Sequence, residues 1–260
     1  MKKPILFLLL ALGLFGLVGC NSSSNQNSTK ANSNQESLES PNQEEVKKIV
    51  YEIDPTKPII ALTFDDGPNT TTTMRVLDKC EEYGVVASFF VIGNNINENS
   101  AEAIKRAYAL GCEIDNHSKT HGYLNKMTED EVKAEIQFTN DKVKELIGIE
   151  PKFFRPPYIA TSSIMYDSID MPFICGIGSN DWDAKVSVED RAGKILDQIK
   201  DGSIILLHDS EGNLKTVQAL DILIPELKKQ GYQFATVSEL FEAKGVAIDP
   251  EDSMLYSIVG

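Results

Sequence analysis

The sequence predicts an α/β protein, a deformed (β/α) barrel of about seven parallel strands. Three observations carry that expectation. From Lys57 onward, apolar β-branched runs alternate with amphipathic stretches. Several of the runs are continuously apolar, as strands buried on both faces are. Residues able to carry chemistry recur just past the ends of those runs, on the side where a barrel gathers its site.

Strands are expected at Ile59–Phe64, Val85–Ile92, Cys112–Ile114, Phe153–Phe154, Phe173–Ile177, Ile204–Leu207 and Phe234–Val237. The first helix, Thr70–Tyr83, runs up to Gly84, and the second, Ser100–Leu110, up to Gly111. The third, Thr128–Ile147, opens on the capping box Thr128-x-x-Glu131 and stops at Gly148. Ser187–Lys200 stops near Gly202, and Leu214–Gln230 stops at Gly231. Repeated strand–helix units of this kind build a parallel sheet. No glycine-rich phosphate loop is present, which argues against nucleotide-binding α/β folds. No internal repeat is visible.

The ends of the chain divide from its middle by composition. Lys2 and Lys3 precede an apolar stretch, Ile5 to Val18, and residues 1–19 read as a targeting segment. Leu17-Val18-Gly19-Cys20 resembles the cleavage box of bacterial lipoproteins, which implies cleavage before Cys20 and a lipid on its thiol. An extracytoplasmic protein anchored to the outer face of the cell membrane is then expected, touching the bilayer only through that lipid. Residues 20–46 are rich in Asn, Ser, Gln and Glu and too poor in apolar residues to fold, so they read as a tether. The folded domain is expected over 47–245, with 246–260 as a C-terminal tail. Net charge is −14, and two units more negative without Lys2 and Lys3, which argues against nucleic acid and anionic lipid as partners. Beyond Cys20, three cysteines remain, expected as buried free thiols without a disulfide framework. A monomer is expected.

The chain has three histidines, and each stands among other reactive residues. His117 and His121 form a His-x-x-x-His pair, on one helical turn or in a tight loop. His208 ends the run Ile204–Leu207. Asp65 and Asp66 end the run Ile59–Phe64. Two imidazoles and a carboxylate, with positions left for water, form a ligand set for a hydrolytic metal ion. Adjacent carboxylates repel, and a cation on one of them would relieve that while the other stays free as a base. Pro156 and Pro157 stiffen the loop after Arg155, which can hold the Tyr158 N–H at a fixed point. Asp181-Trp182 carries the chain's one Trp. Taken singly, each segment also has an ordinary explanation: a turn, surface or capping histidines, a rigid loop, a core Trp. Their common position at strand ends is what joins them.

In order, the segments Thr63-Phe64-Asp65-Asp66-Gly67-Pro68, His117-Ser118-x-x-His121, Arg155-Pro156-Pro157-Tyr158, Asp181-Trp182 and Leu206-x-His208 resemble the motifs of the polysaccharide deacetylases, carbohydrate esterase family 4. The resemblance covers roughly Lys57 to Leu240. It implies metal-dependent removal of N- or O-acetyl groups from sugars. By resemblance, Asp66, His117 and His121 hold the metal, usually Zn, with Co, Ni or Mn as alternatives. Asp65 is the general base, tuned by Arg155. Tyr158 lends its N–H to the oxyanion, and His208 is the acid, tuned by Asp181. Trp182 and Leu206 wall the pocket for the acetyl methyl. An anchored enzyme would meet peptidoglycan or another cell-envelope glycan, with chitin oligomers and acetylated xylan as further candidates. A different class is a carbohydrate-binding lipoprotein of weak activity that keeps the barrel. One position departs from the family pattern: the residue after Tyr158 is usually Gly and here is Ile159. A β-branched residue resists φ > 0, so the following loop, Ala160–Ser163, is expected to take another course.

Overall fold

The computed structural model describes residues 47–250 and 252–260. The targeting segment 1–19, Cys20 and the tether 20–46 lie outside the described residues. Among the described residues, no helix is long and apolar enough to cross a membrane.

In chain order the elements are β1 (Ile59–Asp65), α1 (Thr72–Tyr83), β2 (Ser88–Val91), α2 (Ala101–Leu110), β3 (Glu113–Asn116), α3 (Glu129–Ile147), α4 (Ser163–Ser168), β4 (Phe173–Ile174), β5 (Ile177–Gly178), α5 (Val188–Leu196), β6 (Ile204–His208), α6 (Leu214–Lys229), β7 (Gln233–Ala235), α7 (Val237–Ala243) and β8 (Leu255–Tyr256). All strand pairings are parallel, in the order β3-β2-β1-β6-β5. β1 meets β7 along Ile59–Ala61 and β2 along Thr63–Asp65, so β7 is wedged beside the start of β2. Phe154 bridges β3 to β4, and β4 pairs with β8. Ser203, just before β6, bridges antiparallel to Ile258, which brings the ring back to its start. The result is a deformed barrel of parallel strands.

The alternation along β1 shows why its sequence looked continuously apolar. Ile60 and Leu62 pack outward with the helices, in a core that includes Val76, Leu77, Leu220 and Leu223. Ile59 and Ala61 point the other way, into a core with Phe90, Phe153, Ile174 and Ile204. Side chains two apart share a face. The inward series Ile59, Ala61, Thr63 therefore ends on Asp65, at the top of a packed barrel interior.

Several expected boundaries move. The run Phe153–Phe154 is a single bridged residue rather than a strand, because Pro151 and Pro156–Pro157 remove the donors that would extend it. Phe173–Ile177 splits into β4 and β5 at Gly176, whose φ is 124°. Val237 ends the expected last strand but opens α7, with Thr236 and Glu239 forming a second capping box. The box at Thr128–Glu131 is present as expected. Cys80 and Cys112 are buried free thiols, whereas Cys175 is half-buried.

Residues 246–260, set apart as a tail, contribute to the ring over 255–259. Tyr256 O accepts from Cys175 N–H at 2.7 Å and Ser257 O from Ile204 N–H at 3.0 Å. Val259 is fully buried, and its N–H donates to Gly202 O at 2.8 Å. A short segment reads as a tail in sequence because two residues of strand carry no periodicity. Gly202 has φ 85°, and a Cβ there would stand 2.2 Å from Val259 O. Gly202→Ala should therefore cost about 1–3 kcal/mol of unfolding free energy, as a strained left-handed site does. A urea melt of the variant superimposable on that of the parent chain would show that this closure contributes nothing.

Candidate active site

β1 and β6 pair in register, with Asp65 opposite His208. Parallel strands end together, so the two side chains emerge on the same rim of the barrel. Asp65 is buried, and desolvation of its carboxylate raises its pKa, an effect opposed by Arg155 and His208. Arg155 Nη1 donates to Asp65 Oδ1 at 2.5 Å, and the guanidinium lies 4.0 Å from the centre of the Phe90 ring. Arg155 is itself fully buried.

Asp66 follows at φ 78°. Its backbone O accepts from Asn95 Nδ2 at 2.8 Å. The next residue must be Gly67, because a Cβ there would meet Asp209 Oδ2 at 2.5 Å. Asp209 is buried, accepts from Thr73 Oγ1 at 2.5 Å, and is raised to about 7, mainly by burial. Its N–H donates to Asp65 O, so it braces the loop that carries both aspartates.

His117 and His121 stand in a loop after β3, not on a helix. Ser118 and His121 have φ 68° and 57°. Ser118 N–H donates to Asn116 Oδ1 at 2.7 Å, and His121 N–H donates to Ser118 Oγ at 3.0 Å. Glu135 reaches across from α3 and accepts from the N–H groups of Lys119 and Thr120 at 3.1 and 2.8 Å. Glu135 belongs to none of the sequence motifs. Its signal was a charged residue on the apolar stripe of α3, beside Val132, Ile136 and Val143.

Asp66 Oδ1 lies 3.3 Å from His121 Nε2 and 3.6 Å from His117 Nε2. That oxygen is buried without a hydrogen-bond partner. His117 Nδ1 meets the Arg155 carbonyl at 2.7 Å, which assigns its proton to Nδ1 and turns the Nε2 lone pair toward Asp66. Burial pushes the His117 pKa down to about 3, against the attraction of Asp66, so the imidazole stays neutral. The three groups fit a divalent cation: two neutral nitrogens and an anionic oxygen that is costly to leave unpaired.

On the opposite side, His208 Nδ1 meets Asp181 Oδ1 at 2.7 Å, and His208 N–H donates to Asp181 Oδ2 at 2.8 Å. Burial alone would depress this imidazole. The hydrogen bond and charge of Asp181, with Asp65 and Asp66 adding to it, raise its pKa to about 9. A cleft of about 580 Å³ joins the two sides, and Tyr158, Trp182 and Leu206 are among its walls. Leu206 and His208 alternate inward on β6, while Trp182 is 64 % exposed instead of buried as a lone Trp usually is.

Ile159 takes φ 55° despite its branched side chain, directly after Tyr158 at φ 59°. A left-handed turn thus forms here without glycine, locked by Ile159 N–H to Pro156 O and Ala160 N–H to Pro157 O. The Tyr158 N–H takes no part in those turn bonds. The Tyr158 ring packs edge-on against His121 and stacks on Tyr123 at 4.3 Å, a contact the sequence did not reveal. These contacts hold the turn in a conformation that Ile159 alone would resist.

Comparison with known proteins places the chain in a family. The sequence profile of the family described as polysaccharide deacetylase matches residues 52–169. A bifunctional xylanase/deacetylase of Pseudobutyrivibrio xylanivorans is 50 % identical over 188 residues, covering 72 % of this chain and 31 % of that protein. A peptidoglycan-N-acetylglucosamine deacetylase of Bacillus cereus is 36 % identical over 204 residues, covering 75 % of this chain and 94 % of the relative. The structure of a family 4 acetyl xylan esterase from Clostridium thermocellum, in complex with a cobalt ion, is 42 % identical with a TM-score of 0.76. That match covers 77 % of this chain and 98 % of the esterase. The chain belongs to the polysaccharide deacetylase family. It spans 31–40 % of the length of the larger curated relatives it matches.

The neighbouring aspartates should separate in their effects. Asp66→Asn is expected to weaken divalent-metal binding in calorimetric titration. Asp65→Asn should retain the metal but lose about 10²–10⁴ in rate, the usual share of a general base. It should also lose about 3 kcal/mol or more of stability, because Arg155 keeps its charge in the interior without a counter-charge. Equal metal loss in the two variants would reverse the assignment.

Proposed function

We propose that the chain hydrolyses acetyl groups from a polysaccharide with the help of a divalent metal ion, releasing acetate. One observation carries the reading. A buried carboxylate held by arginine, Asp65, lies between a cation-ready group and an imidazole that favours its protonated form, His208.

Asp66, His117 and His121 would hold the ion, with Zn our first choice and Co, Ni or Mn as alternatives. When bound, such an ion acidifies water and polarises a carbonyl. Asp65 accepts the proton of the attacking water, and Arg155 keeps the carboxylate in place. Tyr158 N–H, fixed by the turn at Ile159, donates to the carbonyl oxygen as negative charge builds on it. His208 Nε2 protonates the departing sugar nitrogen or oxygen, with Nδ1 held by Asp181. An amide leaves poorly as an anion, so that proton is required. Trp182 and Leu206 border the acetyl methyl.

The substrate reading is a cell-envelope glycan such as N-acetylated peptidoglycan, or chitin oligomers. It is supported by the likeness to the Bacillus cereus deacetylase and by the lipoprotein-like N-terminus. O-acetylated xylan is the second reading, favoured by the 50 % identity with the xylanase-linked deacetylase. Acetate release by the metal-loaded chain from intact peptidoglycan, acetylated chito-oligomers and acetylated xylan tests both. Glycan binding with no acetate from any of them would leave the weakly active carbohydrate-binding protein as the answer.

We further propose a monomer, anchored outside the cell membrane through a lipid on Cys20. Cys20→Ser should release the protein or leave its targeting segment uncut. A correctly processed serine variant that stays with the membrane would remove the lipid from the account.

The proton donor sets the pH profile. His208 has its folded-state pKa raised from 6.5 to about 9. Its protonated form therefore stabilises the fold fully below pH about 6.5, and that contribution is lost as pH rises through about 9. Activity on N-acetyl substrates should fall over the same alkaline range. Asp181→Asn should move that limb to lower pH. His208→Ala should abolish most activity on N-acetyl sugars and much less on aryl acetates, whose leaving group needs little protonation. Equal losses on both substrate types would exclude His208 as donor.

A further inference from the structure

Arg191 lies on α5 outside the cleft, yet it is 1 % exposed and forms no ion pair within 4 Å among the described residues. A guanidinium is costly to bury, and this one is spent on hydrogen bonds. It donates to Asn213 Oδ1 at 2.6 Å, Thr216 Oγ1 at 2.9 Å, Asp183 O at 3.0 Å and Val186 O at 3.3 Å. Asn213 and Thr216, at the start of α6, turn their other polar atoms toward Asp181 and His208. Thr216 Oγ1 donates to Asp181 Oδ2 at 2.7 Å. Asn213 Nδ2 donates to His208 O at 2.9 Å and Thr216 Oγ1 at 2.9 Å, and stands 3.5 Å from Asp181 Oδ2.

The donor inventory fixes the direction of each bond. A guanidinium has no acceptor, so the oxygen of Asn213 must face Arg191 and its NH₂ must face His208 and Asp181. Thr216 Oγ1 already accepts from Arg191 and from Asn213. Its single proton has one place left to go, Asp181 Oδ2. With Oδ2 held by Thr216 and by the His208 N–H, Oδ1 is left for the imidazole. Remove the guanidinium, and the Asn213 amide can flip and take the Thr216 proton, leaving Asp181 Oδ2 with the His208 N–H alone.

We infer that Arg191 is a positioning residue for the His208–Asp181 pair, acting through Asn213 and Thr216. The inference rests on the reading of His208 as proton donor. His208 also faces Asp65 at the end of β1, with Arg155 against it, and Asp66. Arg191 faces Asp181 and Asp183. Thr216→Val therefore alters only the relay and leaves those charges in place, whereas Arg191→Met also removes a positive charge that faces Asp181 and Asp183.

The test uses the full chain, metal-loaded, as parent, Arg191→Met, Arg191→Lys, Thr216→Val and His208→Ala. Thr216→Val keeps the shape and removes one hydrogen bond to a carboxylate, so it tests the relay even if Arg191→Met folds poorly. Loss of such a bond is worth about one pH unit at Asp181, and a carboxylate that then leaves its place passes at most that much to His208. In Thr216→Val and Arg191→Met the alkaline limb on acetylated chito-oligomers should move down by up to that much, whereas loss of the Arg191 charge alone would move it up. The ratio of aryl-acetate to chito-oligomer rates should rise about tenfold. The low-field proton resonance of the His208 imidazole should shift upfield in both. Arg191→Lys, which restores charge but not the fork, should recover stability and only part of the ratio. A lower melting temperature with limb, ratio and resonance all unmoved would make Arg191 purely structural and overturn the inference. If His208→Ala keeps the alkaline limb, the donor reading itself fails, and the inference fails with it.

Discussion

The ion pair between Asp65 and Arg155 is the constraint on which the rest of the rim depends. Exposed pairs such as Lys133–Glu129 contribute a few tenths of a kcal/mol, whereas breaking a fully buried pair costs about 3–5 kcal/mol. Arg155 can reach Asp65 only because Phe154 is bridged between β3 and β4, which fixes where the chain turns outward. The same residue places its carbonyl on His117 Nδ1. One arginine thus holds the candidate base by its side chain and orients a candidate metal ligand by its backbone.

The barrel rim gives two histidines opposite character from the same side chain. His117 is buried where desolvation outweighs the attraction of Asp66, and its imidazole is neutral. His208 is almost as enclosed, but Asp181 binds its Nδ1 directly and the charge of the imidazolium is favoured. A ligand must be neutral and a donor must be protonated. The environment supplies both over a shared cleft.

Strain is confined to that rim. Every non-glycine residue with positive φ among the described residues, from Asp66 and Ser118 through His121, Tyr158 and Ile159 to Asn180, lies in a loop beside the cleft. Each such conformation costs on the order of 1–3 kcal/mol, and it persists where its surroundings over-determine it. Asn116, Glu135 and Asp209 supply those surroundings through buried hydrogen bonds, and the strands below supply the packing.

The sequence by itself determined the parallel α/β architecture, because β-branched runs and glycine-stopped helices declare themselves through local periodicity. It also named the residues of the rim, since rare types at strand ends stand out even in a single chain. What it could not determine was which distant groups meet. The splitting of Phe173–Ile177 and the use of Leu255–Tyr256 to complete the ring depend on partners far along the chain. Ile159 in a left-handed turn was legible as a conflict and not as its outcome, because Pro156, Tyr123 and His121 settle it through contacts. Glu135, Asp209 and the Arg191–Thr216–Asp181 relay were likewise silent: a buried polar residue acquires meaning only from the donors and acceptors that surround it, and only tertiary packing brings those within hydrogen-bond distance.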